Sequence, residues 1–135
     1  PTCELYQLSC RTAGLSSLTQ LARVPAISAA LDAPAILFYH FWVYGFANPA
    51  WEQRNWTTET LRLEYEETRA FAEHLLIRHG SRPKTFMLGN WEGDWMLHGM
   101  SGCVHGNASC VPSAEAIQRF VSWANVRQQA VDDAR

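Results

Sequence analysis

The chain of 135 residues has no basic block. Its eleven Lys and Arg are scattered against thirteen Asp and Glu, for a net charge of −2 and a pI near 6.2. A nucleic-acid-binding domain carries a clustered positive face, so nucleic acid is not an expected partner. Long hydrophobic runs are lacking as well. The longest, Ala33 to Ala47, contains His40 and falls short of the roughly 20 apolar residues of a bilayer-spanning helix. It reads as core, and no membrane partner is expected. No signal-peptide pattern precedes Pro1. No glycine-rich phosphate loop follows either apolar run, which counts against a nucleotide-binding sheet. Internal repeats, low-complexity tracts and a recognisable Ser-His-acid triad are missing too, and no cofactor is expected.

Hydrophobic residues make up 47% of the chain, enough for one domain with a real core. Four cysteines fall in two close pairs, Cys3/Cys10 and Cys103/Cys110. Asn55-Trp-Thr57 and Asn107-Ala-Ser109 match the N-glycosylation acceptor, and both lie in expected loops. Together with an even cysteine count, they favour an oxidising, secretory compartment. Six residues separate Cys103 from Cys110, a small loop that a disulfide closes easily. Free thiols, or a zinc site with His98 and His105, are the alternatives. The spacing matches none of the usual zinc-ligand patterns, so no metal is assigned.

Along the chain, Ser16 or Ser17 caps a short helix through Leu18, Leu21 and Ala22, interrupted at Pro25. A second turn, Ala26 to Leu31, stops at Asp32-Ala-Pro34. Ala35 to Tyr44 is dense in aromatic and branched residues and reads as a buried strand. Thr57 or Thr58 caps the clearest helix, with Leu61, Tyr65, Thr68, Ala72, Leu75 and His79 on one face. Glu59 in its first turn and Arg78 in its last suit the helix dipole. Gly80 and Pro83 end it. A second strand is expected over Lys84–Glu92, then a glycine-rich loop. A last helix from Pro112-Ser113 places Ile117, Phe120, Val121, Ala124, Gln128 and Val131 on one face. Alternating strands and helices argue for right-handed βαβ crossovers and a parallel sheet. A complete (β/α)₈ barrel takes about 250 residues, so the expectation is an α/β chain forming about half a TIM barrel. Both ends look cut, so residues 1–135 read as a single domain that is a fragment of a larger barrel.

The stretch Lys84-Thr-Phe-Met-Leu-Gly-Asn-Trp-Glu-Gly-Asp-Trp95 runs from an apolar strand into two carboxylates flanked by tryptophans. In parallel sheets and barrels, ligands sit at the carboxyl ends of strands, where Asn90, Glu92 and Asp94 fall. Five of the six tryptophans, Trp42, Trp51, Trp56, Trp91 and Trp95, lie at or just past expected strand ends. Aromatic faces suit the C–H surface of a sugar ring, although plugging the core is the plainer role. His40 sits in mid-strand, as a core histidine or a sugar contact, with Tyr44 near the strand end.

With Trp123-Ala-Asn-Val-Arg-Gln-Gln-Ala-Val on the following helix, and Leu18-Thr-Gln-Leu-Ala and Leu31-Asp-Ala-Pro34 upstream, the motif resembles a little-characterised glycoside-hydrolase-like (β/α)₈-barrel family. The resemblance covers most of residues 18–131. It implies hydrolysis of a glycosidic bond in a carbohydrate substrate, with Glu92 as general acid/base. Asn90, Asp94, Trp91, Trp95, His40 and Tyr44 would contact the substrate. The alternative is a barrel that binds carbohydrate without catalysis. Retaining glycosidases hold two carboxylates about 5 Å apart, so the partner of Glu92 is either Asp94 or an acid on another strand.

Overall fold

A computed structural model of the chain describes residues 14–46, 57–90, 97 and 109–135. Their elements are, in order, α1 (Leu18–Ala22), α2 (Pro25–Asp32), β1 (Phe38–Val43), α3 (Thr58–His79), β2 (Thr85–Asn90) and α4 (Ala114–Asp133).

Local chemistry sets most of these boundaries. The Ser17 hydroxyl accepts from the Gln20 N–H at the start of α1. Pro25 then opens α2 at its first turn, where a missing N–H costs no helical hydrogen bond. Thr57 and Thr60 cap α3 reciprocally, each side chain accepting from the other's backbone N–H, at 3.2 Å and 2.8 Å. Ser113 does the same service for α4 through the Ala116 N–H.

The strands pair in parallel, Phe38 opposite Thr85 through Val43 opposite Asn90, with α3 as the crossover between them. Side chains alternate across the sheet. Tyr39, Phe41 and Val43, with Phe86, Leu88 and Asn90, point towards the helices. Phe38, His40 and Trp42, with Thr85, Met87 and Gly89, occupy the other face. The core lies under the first face, where Leu18, Leu21, Leu31, Phe71 and Leu75 close over Tyr39 and Val43. The Tyr39 ring stacks on Phe86 at 5.2 Å between centroids and on Phe41 at 5.9 Å.

The half barrel expected from sequence is not formed. Among the described residues there are four helices and one two-stranded parallel sheet, a mixed α/β arrangement too sparse for half a barrel. The alternation of elements was real, but helices dominate it: each strand is only six residues long, against 22 in α3 and 20 in α4. The face of α4 differs as well. Ala116, Trp123, Arg127 and Ala130 are buried, whereas Ile117 and Val121 are exposed. The face that packs combines the apolar Ala116, Trp123 and Ala130 with Arg127, which is paired with Glu64 of α3. No helix among the described residues is long and apolar enough to cross a membrane.

Candidate functional site

The carboxyl ends of the strands meet a buried polar knot that the apolar periodicity did not announce. Glu64 and Glu67 lie one turn apart on the inner face of α3, and both are buried. Glu67 Oε1 accepts from the Leu18 N–H at 3.0 Å, tying α3 to the start of α1. Glu64 Oε1 receives Arg127 Nη1 at 2.5 Å, with both side chains almost fully enclosed. Arg127 Nε donates to Asn90 Oδ1 at 2.8 Å, and its guanidinium lies over the Trp123 ring at 4.9 Å from the centroid. Gly45, just past β1, fits against both acids. A Cβ there would lie 3.0 Å from Glu67 Oε2 and 3.1 Å from Glu64 Oε2.

This arrangement assigns Asn90 to the helix side of the sheet, held by Arg127. His40 and Trp42 stand on the opposite face, beside β2. The His40 ring lies across Gly89, where a Cβ would come within 2.6 Å of Nε2 and 2.8 Å of the Phe41 carbonyl oxygen, so only glycine fits. Around His40 this face is apolar and open: Phe38 is 59% exposed, Trp42 50% and Met87 52%. Tyr44, half-buried, follows at the strand end. The structure therefore brings His40 and Trp42 together, and separates them from Asn90 by the thickness of the sheet.

At the amino ends of the strands lies a second polar cluster. Lys84 Nζ, the only lysine in the chain, donates to the Ala33 and Ile36 carbonyls at 2.7 and 2.8 Å and to the Tyr39 hydroxyl at 3.1 Å. Asp32 gathers Arg78 at 2.5 Å and Arg82 at 3.5 Å. The Arg78 hydrogen bond holds the Asp32 carboxyl below its ordinary range. His79 is 1% exposed, neither ring nitrogen makes a hydrogen bond, and its ring packs on Phe86. Burial lowers its pKa, and the attraction of Asp32 offsets this only in part.

Glu92, Asp94, Trp91, Trp95, Cys103, Asn55 and Asn107 lie outside the described residues, as do His98 and His105. Cys110 is disulfide-bonded, with its partner also outside them. Among the described residues no group of His, Cys, Asp and Glu is arranged to hold a metal ion. Sequence reasoning missed Glu64, Glu67 and Arg127. The signal available was three ionisable residues on the helix faces that carry Thr68, Phe71, Leu75 and Trp123.

Comparison with protein-family profiles, with curated proteins and with solved structures finds no match to this chain.

Proposed function

We propose that this protein acts on carbohydrate, cleaving a glycosidic bond with Glu92 as the general acid/base. The observation that carries the reading is the open sheet face, where Trp42 and Met87 flank His40 beside the strand end that leads into Asn90–Trp95. An apolar aromatic surface next to one imidazole matches a pyranose ring, which has C–H faces and a hydroxyl rim. Its size also fits. Two strands of six residues span about 20 Å by 10 Å, room for a few sugar rings and far less than the roughly 800 Å² per partner of a stable protein interface.

In this reading His40, Trp42 and Tyr44 hold the sugar, with Trp91, Trp95 and Asp94 completing the contacts. Asn90 Oδ1 already accepts from Arg127 Nε, which leaves its amide N–H group and one lone pair of the oxygen for a ligand. The protein is then a secreted glycoprotein, with glycans on Asn55 and Asn107 and a Cys103–Cys110 disulfide.

One observation favours a second reading, carbohydrate binding without catalysis. The buried carboxylates at this end of the sheet, Glu64 and Glu67, are engaged by Arg127 and the Leu18 N–H. They are thus not available as the acid pair that glycoside hydrolysis requires.

The experiment is Glu92→Gln assayed on natural glycans and on activated aryl glycosides. Loss of proton transfer should cost natural-substrate turnover about 10²–10⁴-fold. Aryl glycosides, whose leaving groups need little protonation, should be spared, and azide should restore turnover in a retaining enzyme. If natural-substrate turnover stays within a few-fold of wild type, Glu92 is not the acid and the binding reading replaces hydrolysis.

A further inference from the structure

On its outer edge β2 pairs with no described strand. The Thr85 N–H donates to the Leu37 carbonyl, just before β1, at 2.8 Å. Successive strand residues turn their backbone groups to opposite sides. Thr85, Met87 and Gly89 therefore face β1, while Phe86 and Leu88 face outward. The two N–H and two C=O groups of Phe86 and Leu88 have no hydrogen-bond partner among the described residues. An open edge of this kind is a template for another strand.

A groove of ≈ 490 Å³ follows that edge, bordered by Thr85, Phe86, Met87 and Leu88. Consecutive side chains of a strand point to opposite faces, so a groove touching all four runs along the edge itself. Leu76 of α3 and Val131 of α4 stand across from it. At the carboxyl end of β2 the groove meets a cavity of ≈ 60 Å³ beside Asn90 and Arg127, with Leu88 and Val131 common to both. A single strand needs only about 4.8 Å beside β2. A second copy presenting its own β2 would have to fit its α3 and α4 into the same space.

Charge gives the groove a direction. Its lining includes two cations, Lys84 and Arg135, and no acid. Arg127 reaches Asn90 at the carboxyl end of β2, and Arg135 lies about two turns further along α4, towards Lys84. Neither Lys84 nor Arg135 forms an ion pair with a described residue, and Asp132 beside them accepts from Gln128 at 3.0 Å. Arg127, at the other end, is neutralised by Glu64. The groove is thus positive at the amino end of β2 and neutral at the carboxyl end.

We infer that the β2 edge takes up an extended segment of another protein as a third strand, antiparallel to β2. Apolar residues of the segment lie opposite Phe86 and Leu88, and its acidic carboxyl end lies beside Lys84 and Arg135. Directly opposed residues of an antiparallel pair exchange both hydrogen bonds, so two residues of the segment satisfy all four outward groups. The same direction brings a terminal carboxylate to the positive end of the groove. Main-chain bonds supply affinity, and the apolar side chains entering between Leu76 and Val131 supply selectivity. This surface is independent of the carbohydrate reading, which concerns the face that carries His40 and Trp42.

The test uses the full chain labelled with ¹⁵N and the peptide acetyl-Thr-Val-Thr-Val-Thr-Asp with a free carboxyl terminus. Its valines fall opposite Leu88 and Phe86, and its aspartate opposite Lys84. Binding should shift the Phe86 and Leu88 amide resonances and slow their exchange with solvent. N-methylation of both valines, whose N–H groups face β2, should weaken binding at least tenfold. N-methylation of the threonine between them, whose N–H faces away, should change it less than about twofold. A lysine amide in place of the aspartate should weaken binding about tenfold, and Arg135→Glu about threefold. Gln128→Trp, at an exposed position on the groove, should fill it and abolish binding while the circular dichroism spectrum stays that of wild type. Unmoved Phe86 and Leu88 amides at millimolar peptide, tolerance of the valine methyl groups, or equal binding of the lysine peptide would each overturn the proposal. So would concentration-dependent dimerisation of the chain alone with the same two amides protected, which gives the edge to a second copy.

Discussion

The two ends of the small sheet are closed by different chemistry. At the amino end, one lysine gathers two backbone carbonyls and a hydroxyl, while Asp32, Arg78 and Arg82 form a half-exposed fringe outside it. At the carboxyl end, a buried arginine bridges Glu64 on α3 and Asn90 on β2. At the first end all three acceptors of Lys84 are groups of the protein itself, while the buried His79 ring beside it makes no hydrogen bond. The second end is left one hydrogen bond short, at Arg127 Nη2. Each end thus buries one polar group that lacks a partner, a neutral ring at the first and a charged guanidinium nitrogen at the second. The contrast is one of charge: the carboxyl end buries an ion pair, and the amino end keeps its ion pairs near the surface.

The comparison can be broken most forcefully at the carboxyl end. Arg127→Met leaves Glu64 buried without its counter-charge and should cost about 3–5 kcal/mol in urea unfolding. Replacing both partners together, as Glu64→Leu with Arg127→Met, should recover much of that loss, because no charge then remains uncompensated. At the amino end, Lys84→Met removes three hydrogen bonds from a half-buried ammonium, but the freed carbonyls can reach water. The expected loss is smaller, about 2 kcal/mol by the same measurement. If Lys84→Met proved the costlier change, the ranking of the two ends would be reversed.

The smallest effect is a pH dependence at His79. Its folded pKa is depressed, while the unfolded side chain titrates near 6.5. Above that pH both states are neutral there, and His79 contributes no slope. As pH falls below about 6.5, the unfolded chain takes up a proton that the folded protein resists, so stability declines until the folded pKa is passed. Asp32, Arg78, Arg82 and Lys84 surround the ring, and the three cations oppose its protonation. His74 shifts in the same direction and adds to the slope. His79→Phe should flatten the decline between pH 6.5 and 5 in thermal unfolding, leaving the part that belongs to His74.

Much of the local structure was legible in the sequence. Ser17, Thr57 and Ser113 announce their helices because capping chemistry is read from a few adjacent residues. The parallel pairing followed from a strand, a long helix and a second strand in succession. The extent of the sheet was not legible, since alternation says how elements connect and not how many strands assemble. The buried face of α4 was misread for a related reason. Its apolar stripe through Ile117 and Val121 is partly exposed, and the face that packs instead carries Trp123 and the pair between Arg127 and Glu64, 63 residues away. Asn90 was recognisable as a polar residue at a strand end, and His40 as one in mid-strand. That they stand on opposite faces follows from the register Val43 to Asn90, a long-range fact that no short window contains.

That register has a consequence for the order in which the chain can assemble. Every register pair of the sheet lies 47 positions apart, as Phe38 and Thr85 show. Closing so long a loop is entropically costly, whereas the 22 residues of α3 can begin to coil through contacts three and four positions apart. The crossover helix therefore comes early and its two strands come late. The carboxyl-end cavity, walled by α3, β2 and α4, is among the last features of the molecule to exist.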